Sequence, residues 1–278
     1  MAINRHGLTI HLTIHPVPHV RRDDNGLLVE VLPPGAKDHS MAESFMQFQV
    51  DRQTDTALLQ TLAVDIEHVL SDVRHACEDW QPMRERVLQI VGDLEQGAPP
   101  YDADEVTEAA AFCRWVEDHH FTFLGYCEYD RIVTEGPDEL QLMPGSELGI
   151  LKDAGTSRIS VLPTQTQEYS RSEQLLVVTK ANSRATIHRP AYMDFIGVKR
   201  FDAEGRVNGE RCILGLFTSE AYNRNPREIP LLRQKVKRVM ERSGFPRTSH
   251  AGKSLQNVLD TYPRDALFQI AEIGRAHV

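Results

Sequence analysis

The 278-residue sequence has few cysteines and no long apolar run. The four cysteines are widely spaced and form no CxxC pair: Cys77, Cys113, Cys127 and Cys212. This usage favours apolar packing in a reducing compartment over a disulfide framework. No stretch approaches the roughly 20 apolar residues of a membrane span, and no basic segment followed by an apolar core opens the chain. We therefore expect a cytoplasmic protein with no membrane partner.

The motifs of common catalytic sites are also missing. The chain has no GxGxxG, GxxxxGK[ST], HExxH or GxSxG motif, which predicts that it holds no nucleotide cofactor and no catalytic triad of the known kinds. Its net charge of −9 argues against a nucleic-acid partner. With 41% hydrophobic and 26% charged residues, it has the composition of a globular protein, long enough for about two domains.

Three histidines lie close together in HLTIHPVPH at residues 11–19. Apolar residues alternate with Thr and His from Leu8 to Ile14, a pattern typical of a half-buried strand, which we place at 8–20. On such a strand His11 and His15 share a face but lie roughly 13 Å apart. Two ligands of one zinc each lie about 2 Å from the metal. The sequence therefore predicts a polar strand face and no metal site here.

Residues 1–76 follow the pattern of an incomplete mixed α and β module. MAINRHG is typical of a last helical turn ended by Gly7, and Asn25-Gly26 is a strong hairpin signal. Further strands are predicted at 27–32 and 43–52, and a helix of about twenty residues from Asp55. This order fits a βαββαβ unit without its first strand, so we expect the chain to be truncated at its start.

Residues 77–102 are predicted to be a helical linker, and 103–271 a second α+β domain. The linker helix spans 81–96, with Pro82 in its first turn; the next helix spans about 103–118. Strand-like segments follow, with a loop at 164–174 and a turn at 202–205: 121–132, 139–143, 175–188, 192–202 and 209–218. Two helices close the domain, one ended by Gly244 and one ended before Pro263.

The densest polar cluster is TKANSRATIHRP at residues 179–190. If it is one strand, it presents a positive stripe, with further cations on the next strand. The candidate residues are Lys180, Asn182, Arg184, His188, Lys199 and Arg200. Such a stripe suits a carboxylate or phosphate ligand, and it equally suits acidic residues elsewhere in the same protein or in another domain. Glu128 and Asp130, two apart, suit acid–base chemistry or a solvated strand face. Neither cluster amounts to an active site.

Several long segments together resemble one known family. They are GLTIHLTIHPV, AESFMQFQVDRQTD, DHHFTFLGYCEYD, LLVVTKANSRATIHRPAYMDFIGVKRFDAEGRV, LGLFTSEAYNRNPREIPLLRQKV and LDTYPRDALFQI. These segments, up to about residue 271, are similar to the N-terminal half of the large bacterial NAD-specific glutamate dehydrogenases. The resemblance implies a truncated first ACT-like domain at 1–76 and a second at 103–271. The tail EIGRAHV at 272–278 departs from the family and looks like a translated sequencing adapter, so we expect truncation at both ends.

The resemblance also implies a function for the full-length enzyme. That enzyme would convert L-glutamate, NAD and water to 2-oxoglutarate, ammonium and NADH, with NAD bound in a dehydrogenase domain that this segment lacks. We therefore assign no catalytic, cofactor-binding or metal residue, and expect this segment to be inactive and to bind no NAD. Expected partners are the remainder of its own chain, further copies in a homo-oligomer and an amino-acid effector. The alternative is a stand-alone ACT-like module that senses an amino acid.

Overall fold

The computed structural model describes residues 2–33, 35, 40–97, 99–132, 139–152 and 174–269. The chain divides into two units, Met1–Leu70 and Ser71–Val278, and each is described by itself. Helices and antiparallel sheets are both present, which confirms the predicted mixture of α and β elements. Among the helices in these ranges, none combines the length and apolar character that a membrane crossing needs.

In the first unit, the residues that the structure describes before residue 56 form a short helix and two small antiparallel sheets. These elements are α1 (Ala2–Arg5), β1 (Ile10–Ile14), β2 (His19–Arg22), β3 (Leu28–Val31), β4 (Met41–Ala42) and β5 (Gln47–Val50). Strand β1 pairs with β5, while β2 lies between β3 and β4. The single strand predicted at 8–20 is wrong: Pro16 and Pro18 separate β1 from β2, because proline has no N–H for a ladder. Strand β4 lies between the strands predicted at 27–32 and 43–52, where no strand was predicted.

The local turn signals of this unit are confirmed. Gly7 has φ 73° after α1 and Gly26 has φ 80° in the β2–β3 turn, backbone conformations that glycine adopts without a Cβ clash. The core is small, with Ile3, Leu8 and Leu62 buried together. All four residues of β3 are exposed, so that strand is held by its ladder and not by burial.

A single helix, α2 (Thr56–Gln96), replaces the two helices predicted for this region. Asp55 caps its start, because its side chain accepts the N–H of Ala57 over 2.9 Å. Pro82, predicted to begin a second helix, lies inside α2. An interior proline costs about 3 kcal/mol relative to alanine. The helix continues because its next residues are fully buried at helical spacing, as at Met83 and Val87.

The second unit is built on an antiparallel sheet that follows α3 (Ala103–Trp115). Its strands are β6 (Phe121–Ile132), β7 (Glu139–Leu142), β8 (Leu148–Gly149), β9 (Leu176–Arg184), β10 (Tyr192–Phe201) and β11 (Val207–Phe217). Their order is β7-β6-β11-β10-β9, and β8 also pairs with β6. Between α3 and β6 the chain makes a π-helical turn, Val116–His120, in which His119 has φ 59°. The helix predicted to run to residue 118 therefore ends early.

The strands predicted from alternation are present, with two differences. Strand β9 ends at Arg184 and does not reach residue 188, and β8 was not predicted. The turn at 202–205 is confirmed, since the N–H of Asp202 donates to the carbonyl of Arg206 over 2.9 Å. The loop predicted at 164–174 lies outside the described residues except for Gln174, and the tail at 272–278 lies wholly outside them.

After β11, the described residues of the second unit form four helices: α4 (Ser219–Asn223), α5 (Leu232–Arg242), α6 (His250–Thr261) and α7 (Arg264–Gln269). The predicted ends of α5 and α6 are confirmed, with Gly244 at φ 64° after α5. Aromatic rings from α3, β11 and α7 pack together, and Phe217 stacks on Phe268 with ring centroids 5.0 Å apart. This core also holds residues of α2 and of the strands, including Val87, Ile196 and Ile213.

The continuous α2 helix makes a prediction about Pro82. Replacing it with alanine restores an amide donor in the helix interior, and part of the gain is offset because alanine leaves the unfolded chain more flexible. We expect Pro82→Ala to raise the free energy of unfolding by about 2 kcal/mol in urea titrations. Gln81→Ala, at an exposed neighbour, is the control and should change it little. No gain for Pro82→Ala would mean that the helix is broken at this residue.

Candidate functional site

The predicted stripe begins with Lys180, which lies on edge strand β9 directly opposite Asp194 of β10. The Nζ of Lys180 donates to Oδ1 of Asp194 over 2.6 Å and lies 3.2 Å from Oδ2 of Asp265 on α7. The other oxygen of Asp194 accepts the N–H of Phe217. Lys180 therefore joins β9, β10 and α7 through two ion pairs, in which Asp194 is buried while Lys180 and Asp265 are partly exposed.

Tyr222 on α4 completes this cluster. Its hydroxyl donates to Oδ1 of Asp265 over 2.9 Å and lies 3.4 Å from Nζ of Lys180. Burial lowers the pKa of Lys180, but Asp194, Tyr222 and Asp265 outweigh it and raise that pKa to about 12. Burial raises the pKa of Asp194, against the opposing effects of Lys180 and the Phe217 N–H. We define the Lys180 cluster as Lys180, Asp194, Tyr222 and Asp265.

Arg200 lies in a different cluster, centred on the buried carboxylate of Glu128. Its Nη1 donates to Oε2 of Glu128 over 3.1 Å, and its Nη2 pairs with Asp130. Tyr126 donates its hydroxyl to Oε1 of Glu128 over 2.8 Å, and Nε of Arg211 lies 3.8 Å from Oε2. The solvated strand face considered for Glu128 is wrong, because β11 and β10 bring arginines onto it.

Lys199, the neighbour of Arg200, is buried beside Glu210 of β11. Its Nζ lies 4.0 Å from Oε2 of Glu210, and the two residues are 4% and 1% exposed. Burial raises the pKa of Glu210 to about 7, although Lys199 opposes this effect. Burial also lowers the pKa of Lys199, and here Glu210 opposes it. The raised pKa of Glu210 brings its titration toward neutrality.

The remaining stripe residues lie at the surface. Asn182, Arg184 and His188 are exposed, and the guanidinium of Arg184 lies over the ring of Tyr192 at 5.0 Å. His188 has φ 66° beyond the end of β9, so it does not continue the strand face. The six candidates therefore do not form one stripe.

Strand geometry keeps the two cation groups apart. Arg200 is six residues along β10 from Asp194, the residue opposite Lys180, a separation of roughly 20 Å. A small anion cannot touch both Lys180 and Arg200.

The histidines of the first unit bond to neighbouring polar groups. Nε2 of His11 lies 2.8 Å from Oδ1 of Asp51, and Nε2 of His15 lies 2.6 Å from Oγ of Ser44. In the described part of the chain, no group of three or more His, Cys, Asp or Glu side chains is arranged to hold a metal.

A cavity of about 730 Å³ was not anticipated from the sequence. It lies beside β9 and is bordered by α3, α5 and α7, with Glu105, Lys235 and Arg238 as its charged lining residues. Lys235 donates from Nζ to the carbonyls of Leu267 at 3.0 Å and Phe268 at 2.7 Å. The sequence feature that could have indicated this cavity is Lys235, which lies next to Val236 at the border of the apolar stripe of α5.

Comparisons of the sequence with known proteins find glutamate dehydrogenases. Residues 1–66 match the profile "Glutamate dehydrogenase, ACT1 domain", and 229–273 match "Glutamate dehydrogenase, helical motif 1". NAD-specific glutamate dehydrogenase of Halomonas elongata is 38% identical over 274 residues, 96% of this chain and 17% of that protein. By these matches the chain is related to the NAD-specific glutamate dehydrogenases.

Two further NAD-specific glutamate dehydrogenases match nearly the whole chain. That of Pseudomonas aeruginosa is 36% identical over 273 residues, 97% of this chain and 17% of that protein. That of Mycobacterium tuberculosis is 25% identical over 275 residues, 97% of this chain and 16% of that protein. The chain thus spans about one sixth of the length of these curated relatives. Helices α5, α6 and α7, with Lys235 and Asp265, fall within helical motif 1.

The Lys180 cluster makes the first prediction of this subsection. Lys180→Met leaves the buried carboxylate of Asp194 without its cation, so we expect the free energy of unfolding to fall by about 3 kcal/mol. Arg206→Met removes an ion pair with Asp202 in which the arginine side chain is 74% exposed, and should cost less than about 1 kcal/mol. Urea unfolding measures both variants. Equal losses would show that Lys180 has no special structural role.

Glu210 makes the second prediction. Between its ordinary pKa of 4.5 and its folded pKa of about 7, the folded chain keeps a proton that the unfolded chain has lost. The free energy of unfolding should therefore fall with rising pH in this window, by up to about 1.4 kcal/mol per pH unit. Glu210→Gln removes this contribution, so its stability relative to the wild type should rise across the window and level off above it. Glu139→Gln, on an exposed strand position, should show no such trend in the same urea titrations.

Proposed function

We propose that this chain is an N-terminal regulatory and architectural segment of an NAD-dependent glutamate dehydrogenase. The observation that carries the proposal is the share of each sequence that the match covers. It extends over 96% of this chain but over only 17% of the Halomonas elongata enzyme. The full-length enzyme oxidises L-glutamate with NAD and water to 2-oxoglutarate, ammonium and NADH. On this proposal its nicotinamide and glutamate sites lie elsewhere in the full-length chain, so we expect the segment to bind no NAD and not to turn over glutamate.

The charge clusters support the architectural part of the proposal. Lys180, Lys199 and Arg200 each have carboxylates of the same unit within 4.0 Å. Buried charges that are matched inside a fold fix the relative positions of its elements. We therefore assign Lys180, Lys199 and Arg200 of the predicted positive stripe to internal contacts, and a ligand at these residues would first have to break them.

We propose the domain organisation in the same terms. Residues 1–76 form one ACT-like domain, 77–102 a helical linker and 103–271 a second ACT-like domain. The profile match at 1–66 and the antiparallel sheet of the second unit support this division. The partners are the remainder of the chain, further copies in a homo-oligomer and an amino-acid effector, with no nucleic acid or membrane, in the cytoplasm.

A stand-alone amino-acid sensor is the second candidate, favoured by the ACT1 match at 1–66. The two candidates differ in what the encoding DNA contains. Resequencing the region decides between them: an open reading frame that continues into a dehydrogenase domain supports the segment, and a genuine stop codon after residue 278 supports the sensor.

The main proposal predicts an inactive segment. The purified 278-residue chain, assayed spectrophotometrically with L-glutamate and NAD, should form no NADH above the rate without protein. The Pseudomonas aeruginosa enzyme in the same assay is the positive control. Turnover that copurifies with this chain and depends on glutamate would overturn the proposal.

A further inference from the structure

The cavity of about 730 Å³ beside β9 combines charge, amide and apolar lining. Its lining residues are Glu105, Gln174, Leu176, Val177, Val178, Leu231, Gln234, Lys235, Arg238, Phe268 and Gln269. All belong to the second unit. A cavity with apolar walls and a few convergent polar groups is the usual form of a small-molecule site.

Lys235 is the distinctive group in this cavity. Other partly buried lysines face carboxylates, as Lys180 faces Asp194 and Lys152 faces Asp79. Lys235 instead donates to two backbone carbonyls, and it makes no ion pair with any residue in the described ranges. Burial lowers its pKa to about 8. An ammonium has three N–H donors, so one remains after the two carbonyls are satisfied.

Arg238 lies three residues further along α5 and also lines the cavity. Residues three apart on a helix are neighbours on its surface, so the two cations can act on one group. Arg238 also makes no ion pair within the described part of the chain. Glu105 on α3 is the one acidic lining residue among those described, which leaves the described lining with a net charge of +1.

The edge of β9 adds backbone donors. The N–H of Lys199 donates to the carbonyl of Leu175, and bonds in an antiparallel ladder alternate along a strand. The N–H and C=O groups of Leu176 and Val178 therefore point away from β10, at the outer edge of β9, and both residues line the cavity. The side chains of Leu176, Val178 and Phe268 supply its apolar wall.

We propose that this cavity binds a small carboxylate-bearing molecule, with the carboxylate against Lys235 and Arg238 and an aliphatic portion against Leu176, Val178 and Phe268. A carboxylate fits because a net charge of +1 suits a monoanion better than a phosphate dianion. The smaller cavity of about 500 Å³ beside Arg200 and Arg211 is less suited, because Glu128 and Asp93 already pair with those arginines.

This inference deepens the proposed regulatory role by naming a ligand class. Ligand binding is measured on the 278-residue chain without NAD or glutamate, so a negative result leaves the assignment to glutamate dehydrogenase intact. Conversely, glutamate turnover by the chain would overturn the proposed function but would not prevent the carboxylate from binding in this cavity.

The test uses hexanoate as the carboxylate probe and hexanamide as its uncharged analogue, with dissociation constants from calorimetry or ligand-observed NMR. Hexanoate should bind the wild type more tightly than hexanamide or inorganic phosphate. Lys235→Met and Arg238→Gln should each weaken hexanoate at least about tenfold. Lys237→Met, an exposed lysine on the same helix that does not line the cavity, is the matched control and should bind like the wild type.

The pH dependence adds a readout that packing alone would not change. Above about pH 8 Lys235 loses its proton, so hexanoate affinity should fall with rising pH, by at most about tenfold per unit. Arg238 and Glu105 are the other charged lining groups among the described residues. Equal affinity for hexanoate and hexanamide, tighter binding of phosphate, or equal affinity in Lys235→Met and Lys237→Met would overturn the proposal. If Lys235→Met fails to fold, the exposed Arg238→Gln decides.

Discussion

The ion pair between Lys180 and Asp194 is the interaction on which the second unit most depends. It joins an edge strand to its neighbour, and Asp265 and Tyr222 bring α7 and α4 to the same point. A carboxylate as buried as Asp194, 2% exposed, is stable only with a cation and a hydrogen-bond donor beside it. The positions of four elements are therefore coupled to the placement of one lysine.

The same constraint explains why the sheet can carry so much charge. Glu128, Lys199 and Glu210 are all buried on strands, and each has a partner of opposite charge on another strand of the same sheet. Helical motif 1 supplies Asp265, and its α5 also supplies Lys235, which holds the end of α7 through two carbonyls. The second profile match therefore covers residues that fasten the helices to the sheet and to one another.

Local patterns predicted the strands well and the charged contacts poorly. Strand β6 was predicted at its observed bounds, 121–132, because alternation and flanking turn residues are encoded nearby. The pairing of Arg200 with Glu128 spans 72 positions, and no local pattern reports such a contact. The break predicted at Pro82 was wrong for a related reason. Proline by itself disfavours a helix interior, but core residues distant in sequence pack against the turn that follows it.

The cysteines illustrate what burial does to chemistry. Cys127 and Cys212 lie directly opposite each other on β6 and β11, and burial raises the pKa of Cys113 to about 12 and that of Cys212 well above its usual value. Thiol reagents act on thiolates at accessible positions. Cys77, exposed on α2, is thus a natural attachment point for a single fluorophore or spin label. It offers spectroscopists a reporter on the long helix without any engineered residue.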